Sequence, residues 1–213
     1  MKLLIASKNE EKIRWFKKAF DCLPEDIEVI TLDDIGYTPR VDECGSSYEI
    51  NAIIKAIEPT TIYPEIITVA DDGGLVLKAT DTIGGLYSHR HNRDLCKDIL
   101  DFLTPRDNDI KPCDRVCKFE RSCAVAWHDT HNKIQFRTIR SCSPERLEIT
   151  QIDSNDIPAK THCFDIIERV FENQRIKLSD MEELLLMNSV GALDPYMRLA
   201  WMIQNYIMKC ISK

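Results

Sequence analysis

The predicted elements place the chain in the α/β class, as a mixed β-sheet with flanking helices. Strand and helix patterns alternate early in the sequence, a hairpin-rich segment follows, and helical patterns close it. Residues 2–6, apolar after Lys2, read as a short buried strand. Asn9 then caps a helix whose Ile13, Phe16 and Phe20 recur at helical spacing. Residues 27–32 are a second strand, followed by a loop through Gly36, Pro39 and Gly45. Ser46 and Glu49 make a capping-box pattern ahead of Ile50, Ile53, Ile54 and Ile57, so a second helix begins near Ser47, with Pro59 and Pro64 ending it. Residues 66–70 are apolar and β-branched, Asp71, Asp72, Gly73 and Gly74 punctuate, and residues 75–79 resume, which predicts strand, acidic turn, strand.

Further on, Leu95, Ile99, Leu100 and Leu103 suggest a helix, and residues 104–112 a polar loop. Residues 119–127 and 134–139 flank Asp129, Thr130, His131 and Asn132, the pattern of a β-hairpin, and residues 146–152 add a strand. Ser179 with Glu182 repeats the capping-box pattern before residues 184–187, and Asp194 with Pro195 starts a final helix through Trp201 and Ile207. Two lobes around a cleft suit this order of elements. Nothing in the composition marks a linker, so residues 1–213 read as one domain.

With 213 residues, 44% hydrophobic and 30% charged, the chain can bury one sizeable core. The apolar start imitates a signal peptide, but Lys8, Glu10, Glu11 and Lys12 interrupt it, and no later run is long enough to cross a membrane. Nine cysteines without framework spacing read as reduced thiols, so the expected location is the cytoplasm. Cys113, Cys117 and Cys123, with His128 and His131 nearby, lack the paired spacing of structural zinc. A net charge of −7 argues against general nucleic-acid binding. A polyanionic ligand would need a local basic pocket.

Three clusters carry possible chemistry. Ser7, Lys8, Asn9 and Lys12 lie where a strand meets a helix N-terminus, which suits an anion, although on their own Asn9 as a plain cap and solvated lysines are the simpler account. Glu43, Asp71 and Asp72 offer hard oxygen ligands for a divalent cation, against which stands the reading of Asp71 to Gly74 as an ordinary turn. Asn51 and Lys55 share a helix face and either contact phosphate or pair on the surface.

Read in order, Ser-x-Asn-x-x-Lys at 7–12, Glu-x-Gly-x-x-Tyr-x-x-Asn-Ala-x-x-Lys-Ala at 43–56 and Ala-Asp-Asp-Gly-Gly-Leu at 70–75 resemble the inosine triphosphate pyrophosphatase family. Residues 85–90, Gly-Leu-Tyr-Ser-His-Arg, are similar to that family's Gly-Val-Tyr-Ser-Ala-Arg segment. The resemblance implies hydrolysis of a nucleoside triphosphate, such as ITP, dITP or XTP, to the monophosphate and pyrophosphate. It also implies a homodimer whose protomer is an elongated mixed sheet with a substrate cleft between two lobes. Residue by residue, it implies that Asn9, Lys12 and Lys55 bind phosphate, that Ser7 belongs to the substrate site and that Glu43 and Asp72 hold magnesium. Asp71 and Asp72 would be the catalytic acids, Asp71 positioning water, and Gly73, Arg90, Phe164 and Asp165 would complete the substrate site.

The sequence departs from the family at three places. Gly73 stands where the family has serine, and the loop Gly-Phe-Gly-Tyr-Asp-Pro survives only as Thr161, His162, Cys163, Phe164, Asp165 and Ile166. The late Ser-His-Arg that reads the purine is absent, the comparable region being Leu193, Asp194 and Pro195. Base selection by this chain, whether of a purine or of another or modified base, is therefore expected to differ, and the alternative to an enzyme is a nucleotide-binding or interaction module that keeps the fold without turnover.

Overall fold

The computed structural model describes residues 1–40, 44–77, 115–142, 147–150, 167–171, 174–177 and 195–211. The helix expected around Leu95 to Leu103, the loop at 104–112 and the capping box at Ser179 lie outside them. The class expectation is borne out, since the described elements form a mixed sheet with helices beside it. Two compact units divide the chain: residues 1–72, 121–141 and 192–213 form the first, and residues 73–120 and 142–191 the second.

In the first unit, β1 (Lys2–Ile5) runs parallel to both β2 (Glu28–Thr31) and β3 (Ile66–Leu77), with Ile5 opposite Thr31 on one side and Val69 on the other. Leu3, Leu4 and Ile5 have no exposed surface, as expected for a central strand of a parallel sheet. Next to β3 lies β4 (Val116–His128), which carries β5 (Ile134–Cys142) across the expected hairpin turn, where Asn132 takes a left-handed φ of 58°. Within the second unit, β6 (Leu147–Ile149) is antiparallel to Val116 and Cys117, the residues of β4 that belong to that unit and pair with it, followed by β7 (Ile167–Phe171) and β8 (Gln174–Lys177). There Arg175 lies 2.8 Å from the buried carboxylate of Glu148 and 3.1 Å from that of Glu168.

Helix α1 (Glu10–Phe20) is capped by Asn9, whose Oδ1 accepts from the N–H groups of Glu11 at 2.9 Å and Lys12 at 3.1 Å. It buries Trp15, Phe16 and Phe20, and the Phe16 ring meets Tyr196 edge-on at 4.6 Å. Tyr196 belongs to α3 (Pro195–Met202), which begins at Pro195 as expected and passes through a π-helical turn, Ile203–Ile207, into α4 (Met208–Ile211).

Helix α2 (Tyr48–Ile62) corrects two expectations. Ser47, not Ser46, is the cap, its Oγ accepting from the Ile50 N–H at 3.2 Å. The capping box does not form, because Glu49 turns instead to β5 and accepts from the Thr138 hydroxyl at 2.6 Å. Pro59 lies inside the helix rather than ending it, and the Tyr63 N–H closes the last turn on the Pro59 carbonyl at 2.8 Å, just before Pro64. The inner face of α2 presents Ala52 and Ala56, which join Ala70, Ala124 and Ala126 in the core and let the helix come close to the sheet.

The acidic turn is a third correction, for β3 runs unbroken through Asp71, Asp72, Gly73 and Gly74. Consecutive strand residues point to opposite faces, and each aspartate meets cationic partners on its own side. No helix among the described residues is long and apolar enough to cross a membrane.

Candidate active site

Asp71 and Asp72 are 2% and 8% exposed, and carboxylates are so buried only when compensated. Toward α1 and α3, Asp71 Oδ2 lies 3.1 Å from Lys12 Nζ and 3.9 Å from Arg121 Nε, and accepts a hydrogen bond from the Tyr196 hydroxyl at 3.0 Å. Arg121 comes from β4, and its guanidinium sits 4.5 Å from the centre of the Trp15 ring and 5.4 Å from that of Tyr196. Such stacking fixes a guanidinium in place. Burial pushes the Asp71 carboxyl up, but the charges of Lys12, Arg121 and Lys55 and the hydrogen bond from Lys12 outweigh it, leaving Asp71 below the usual carboxylate range. Burial also lifts Tyr196 well above the usual phenol value, so its hydroxyl keeps the proton that it donates.

Asp72 faces α2. Its Oδ2 accepts from Asn51 Nδ2 at 2.9 Å and its Oδ1 from Lys55 Nζ at 3.0 Å. One helical turn separates Asn51 and Lys55, which is why both reach the same carboxylate. Lys55 Nζ also donates to the Asp71 carbonyl at 3.4 Å. Asn51 is 1% exposed, and its Oδ1 accepts from the Gly45 N–H at 2.9 Å. The amide therefore ties the loop after Glu43 to the strand carrying Asp72.

At Gly45 an added Cβ would lie 2.6 Å from Asn51 Oδ1 and 2.7 Å from Ile50 Cγ2. Gly45→Ala should therefore displace the Asn51 amide and cost about 1–3 kcal/mol of stability by overpacking. Urea unfolding of the two proteins measures this, and an unchanged midpoint and slope would show that the loop yields freely.

Of the residues expected in the site, Lys12, Lys55, Asp71 and Asp72 come together, as does Asn51. Ser7 and Asn9 form the turn between β1 and α1, where Ser7 Oγ accepts from the Asn9 N–H at 3.2 Å. This turn leaves the sheet beside β3, the Ala6 N–H donating to the Val69 carbonyl at 2.7 Å. Gly73 follows Asp72 in β3. Glu43, Arg90, Phe164 and Asp165 lie outside the described residues. Sequence reasoning missed Arg121 and Tyr196, and missed Trp15 as their support.

The donor set is compatible with magnesium. Among the described residues no group of three or more His, Cys, Asp or Glu side chains is arranged to hold a metal. Magnesium, however, commonly takes one or two carboxylates and completes its shell with water and phosphate oxygens. Asp72 supplies hard carboxylate oxygens on the side of α2, and on the other face of the strand the buried Asp71 Oδ1 has no hydrogen-bond partner among the described residues.

Comparison with known proteins adds a family match. The model of the Ham1 family matches residues 3–142, a span holding Lys12, Asn51, Lys55, Asp71, Asp72 and Arg121 but not Tyr196. A dITP/XTP pyrophosphatase of Bacillus licheniformis is 37% identical over 128 residues, covering 58% of this chain and 62% of that protein. One from Oceanobacillus iheyensis is 32% identical over 128 residues, covering 59% and 64%. The matched region thus spans less than two thirds of either relative. Among solved structures, a HAM1 protein from Coxiella burnetii shares the fold with a TM-score of 0.68 at 21% identity, over 95% of this chain and 98% of that one. A nucleoside-triphosphatase, dITP/XTP pyrophosphatase, from Mycobacterium abscessus matches with a TM-score of 0.59 at 25% identity, over 84% and 88%.

Proposed function

Because the chain belongs to the Ham1 family, we propose that it hydrolyses a nucleoside triphosphate to the monophosphate and pyrophosphate, with a deaminated purine nucleotide such as ITP, dITP or XTP as substrate. The observation that carries this reading is the pair of buried aspartates on one strand, each ion-paired to a lysine from a different helix. Carboxylates and lysines so arranged suit a triphosphate and its counter-ion. The relatives named dITP/XTP pyrophosphatase support the substrate class.

In this reading Lys12 and Lys55, with Ser7, Asn9 and the backbone at Gly73, bind phosphate oxygens, while Arg90, Phe164 and Asp165 contact the rest of the substrate. Glu43 and Asp72 would hold Mg2+. Magnesium, when bound, supplies positive charge that offsets the charge growing on the phosphates. Asp71 orients the water that attacks the α-phosphorus and takes its proton. The bond from that phosphorus to the bridging oxygen breaks, and pyrophosphate leaves with the electron pair. Lys12 and Lys55 offset its charge as it departs. The same reading makes residues 1–213 one catalytic domain, acting in the cytoplasm as a homodimer without nucleic-acid or membrane partners.

Base selection is proposed to be weaker than in relatives that carry the late Ser-His-Arg. At the comparable place this chain has Leu193, Asp194 and Pro195, and the hydroxyl of Tyr196, the next residue, is engaged by Asp71. Stacking alone discriminates poorly, since every base has a face. The test is kcat/KM with magnesium across inosine, xanthosine, adenosine, guanosine and pyrimidine triphosphates in ribo and deoxy forms. The expected profile favours inosine and xanthosine by a modest factor. Exclusive selection of those two would contradict the weakened reader, and turnover of none would contradict the enzyme.

A further inference from the structure

Lys12 and Lys55 face a conflict that bears on the proposed reaction, and the inference that follows rests on that reading. Both lysines bind phosphate there, yet each is already ion-paired to an aspartate, Lys12 to Asp71 at 3.1 Å and Lys55 to Asp72 at 3.0 Å. A lysine that turns to a phosphate must leave its carboxylate. The Asp71 side chain has no exposed surface, and a buried carboxylate stripped of its partner is strongly disfavoured. Unless another group keeps Asp71 satisfied, Lys12 is held back from the substrate.

We propose that Arg121 and Tyr196 are positioning residues that hold the Asp71 carboxylate in place and so free Lys12 to bind the triphosphate. Both act on the oxygen that Lys12 uses, Oδ2, with Tyr196 donating at 3.0 Å and Arg121 lying 3.9 Å away. Both are packed in place by rings. Arg121 lies over the Trp15 and Tyr196 rings at 4.5 and 5.4 Å, and the Tyr196 ring is packed edge-on against Phe16 at 4.6 Å. When Lys12 swings away, the charge on Asp71 keeps a cation and a hydroxyl, and Oδ1 stays aimed by the clamp on Oδ2. On the other face Asn51 does the same for Asp72, donating at 2.9 Å whatever Lys55 does. Each acid therefore has one lysine able to move to the substrate, while anchored partners remain, Arg121 and Tyr196 on Asp71 and Asn51 on Asp72. Arg121 and Tyr196 thus affect phosphate binding through Asp71, without touching phosphate.

The test is a double-mutant cycle on binding, read by titration calorimetry of metal-free protein with inorganic tripolyphosphate, a probe that depends neither on the base nor on turnover. Arg121→Gln and Tyr196→Phe should each weaken binding roughly tenfold, the scale of one lost charge-assisted hydrogen bond, while Arg121→Lys should retain most of it. In an Asp71→Asn background, with no charge to hold, both replacements should have no effect. Thermal melting, run alongside, identifies any variant that has lost its fold. Equal affinity in wild type and the single variants overturns the inference. So does the same tenfold loss with Asp71→Asn, which would make the role one of packing, and so does a wild type that binds no tripolyphosphate. Failure of the parent reading appears elsewhere, as wild-type protein that releases no pyrophosphate from any nucleotide.

Discussion

Asp72→Asn should lower kcat/KM for the preferred nucleotide by at least about a hundredfold, some 3 kcal/mol of transition-state stabilisation, with the fold intact. The substitution removes a charged oxygen ligand from the proposed metal site while nearly preserving shape. It also leaves an amide where Asn51 and Lys55 both donate, at 2.9 and 3.0 Å, so one donor now faces an NH2 group. Glu43→Gln should act in the same direction, and chelation of divalent ions should abolish turnover of the wild type reversibly. Initial rates with and without chelator, together with far-ultraviolet circular dichroism of both variants, check this. Full turnover in chelator would remove the metal from the account.

The second large effect is expected at Lys12. Lys12→Met should weaken triphosphate binding by about 1–3 kcal/mol, the range of a charge-assisted hydrogen bond, and monophosphate binding by less. It should also destabilise the protein, because Asp71 is buried and loses its nearest cation. Breaking a buried ion pair costs about 3–5 kcal/mol when the remaining charge is alone. Arg121 and Tyr196 remain beside Asp71, so a smaller loss of about 2 kcal/mol is expected here. Adding Asp71→Asn should return stability without restoring affinity. Urea unfolding and calorimetry on the single and double variants separate the two effects. A Lys12→Met protein as stable and as tightly binding as the wild type would return Lys12 to a solvated surface role.

The parts of this site legible in the sequence are those set by short-range chemistry. The Asn9 cap, the strand before it and the helix after it follow from residue types a few positions apart. Asn51 and Lys55 share a face because of helix periodicity, and the structure turns that shared face toward Asp72. The strand character of Asp71 to Gly74 was not legible. Two acids and two glycines look like a turn until cations from distant elements offset their burial. Arg121 and Tyr196 carried no local signal, since the partner of Tyr196 lies 125 positions away. Strands β7 and β8 also escaped prediction. Their segments are short and charged, and their pairing places Glu168 opposite Lys177, a relation that no single segment reveals.

Isotope labelling with mass spectrometry of the products tests the central claim most directly. Hydrolysis of inosine triphosphate in water enriched in oxygen-18, with magnesium present, should give labelled inosine monophosphate and unlabelled pyrophosphate, because water attacks the α-phosphorus. Labelled inorganic phosphate with inosine diphosphate, or label in the pyrophosphate, would place the attack on another phosphorus and contradict the account.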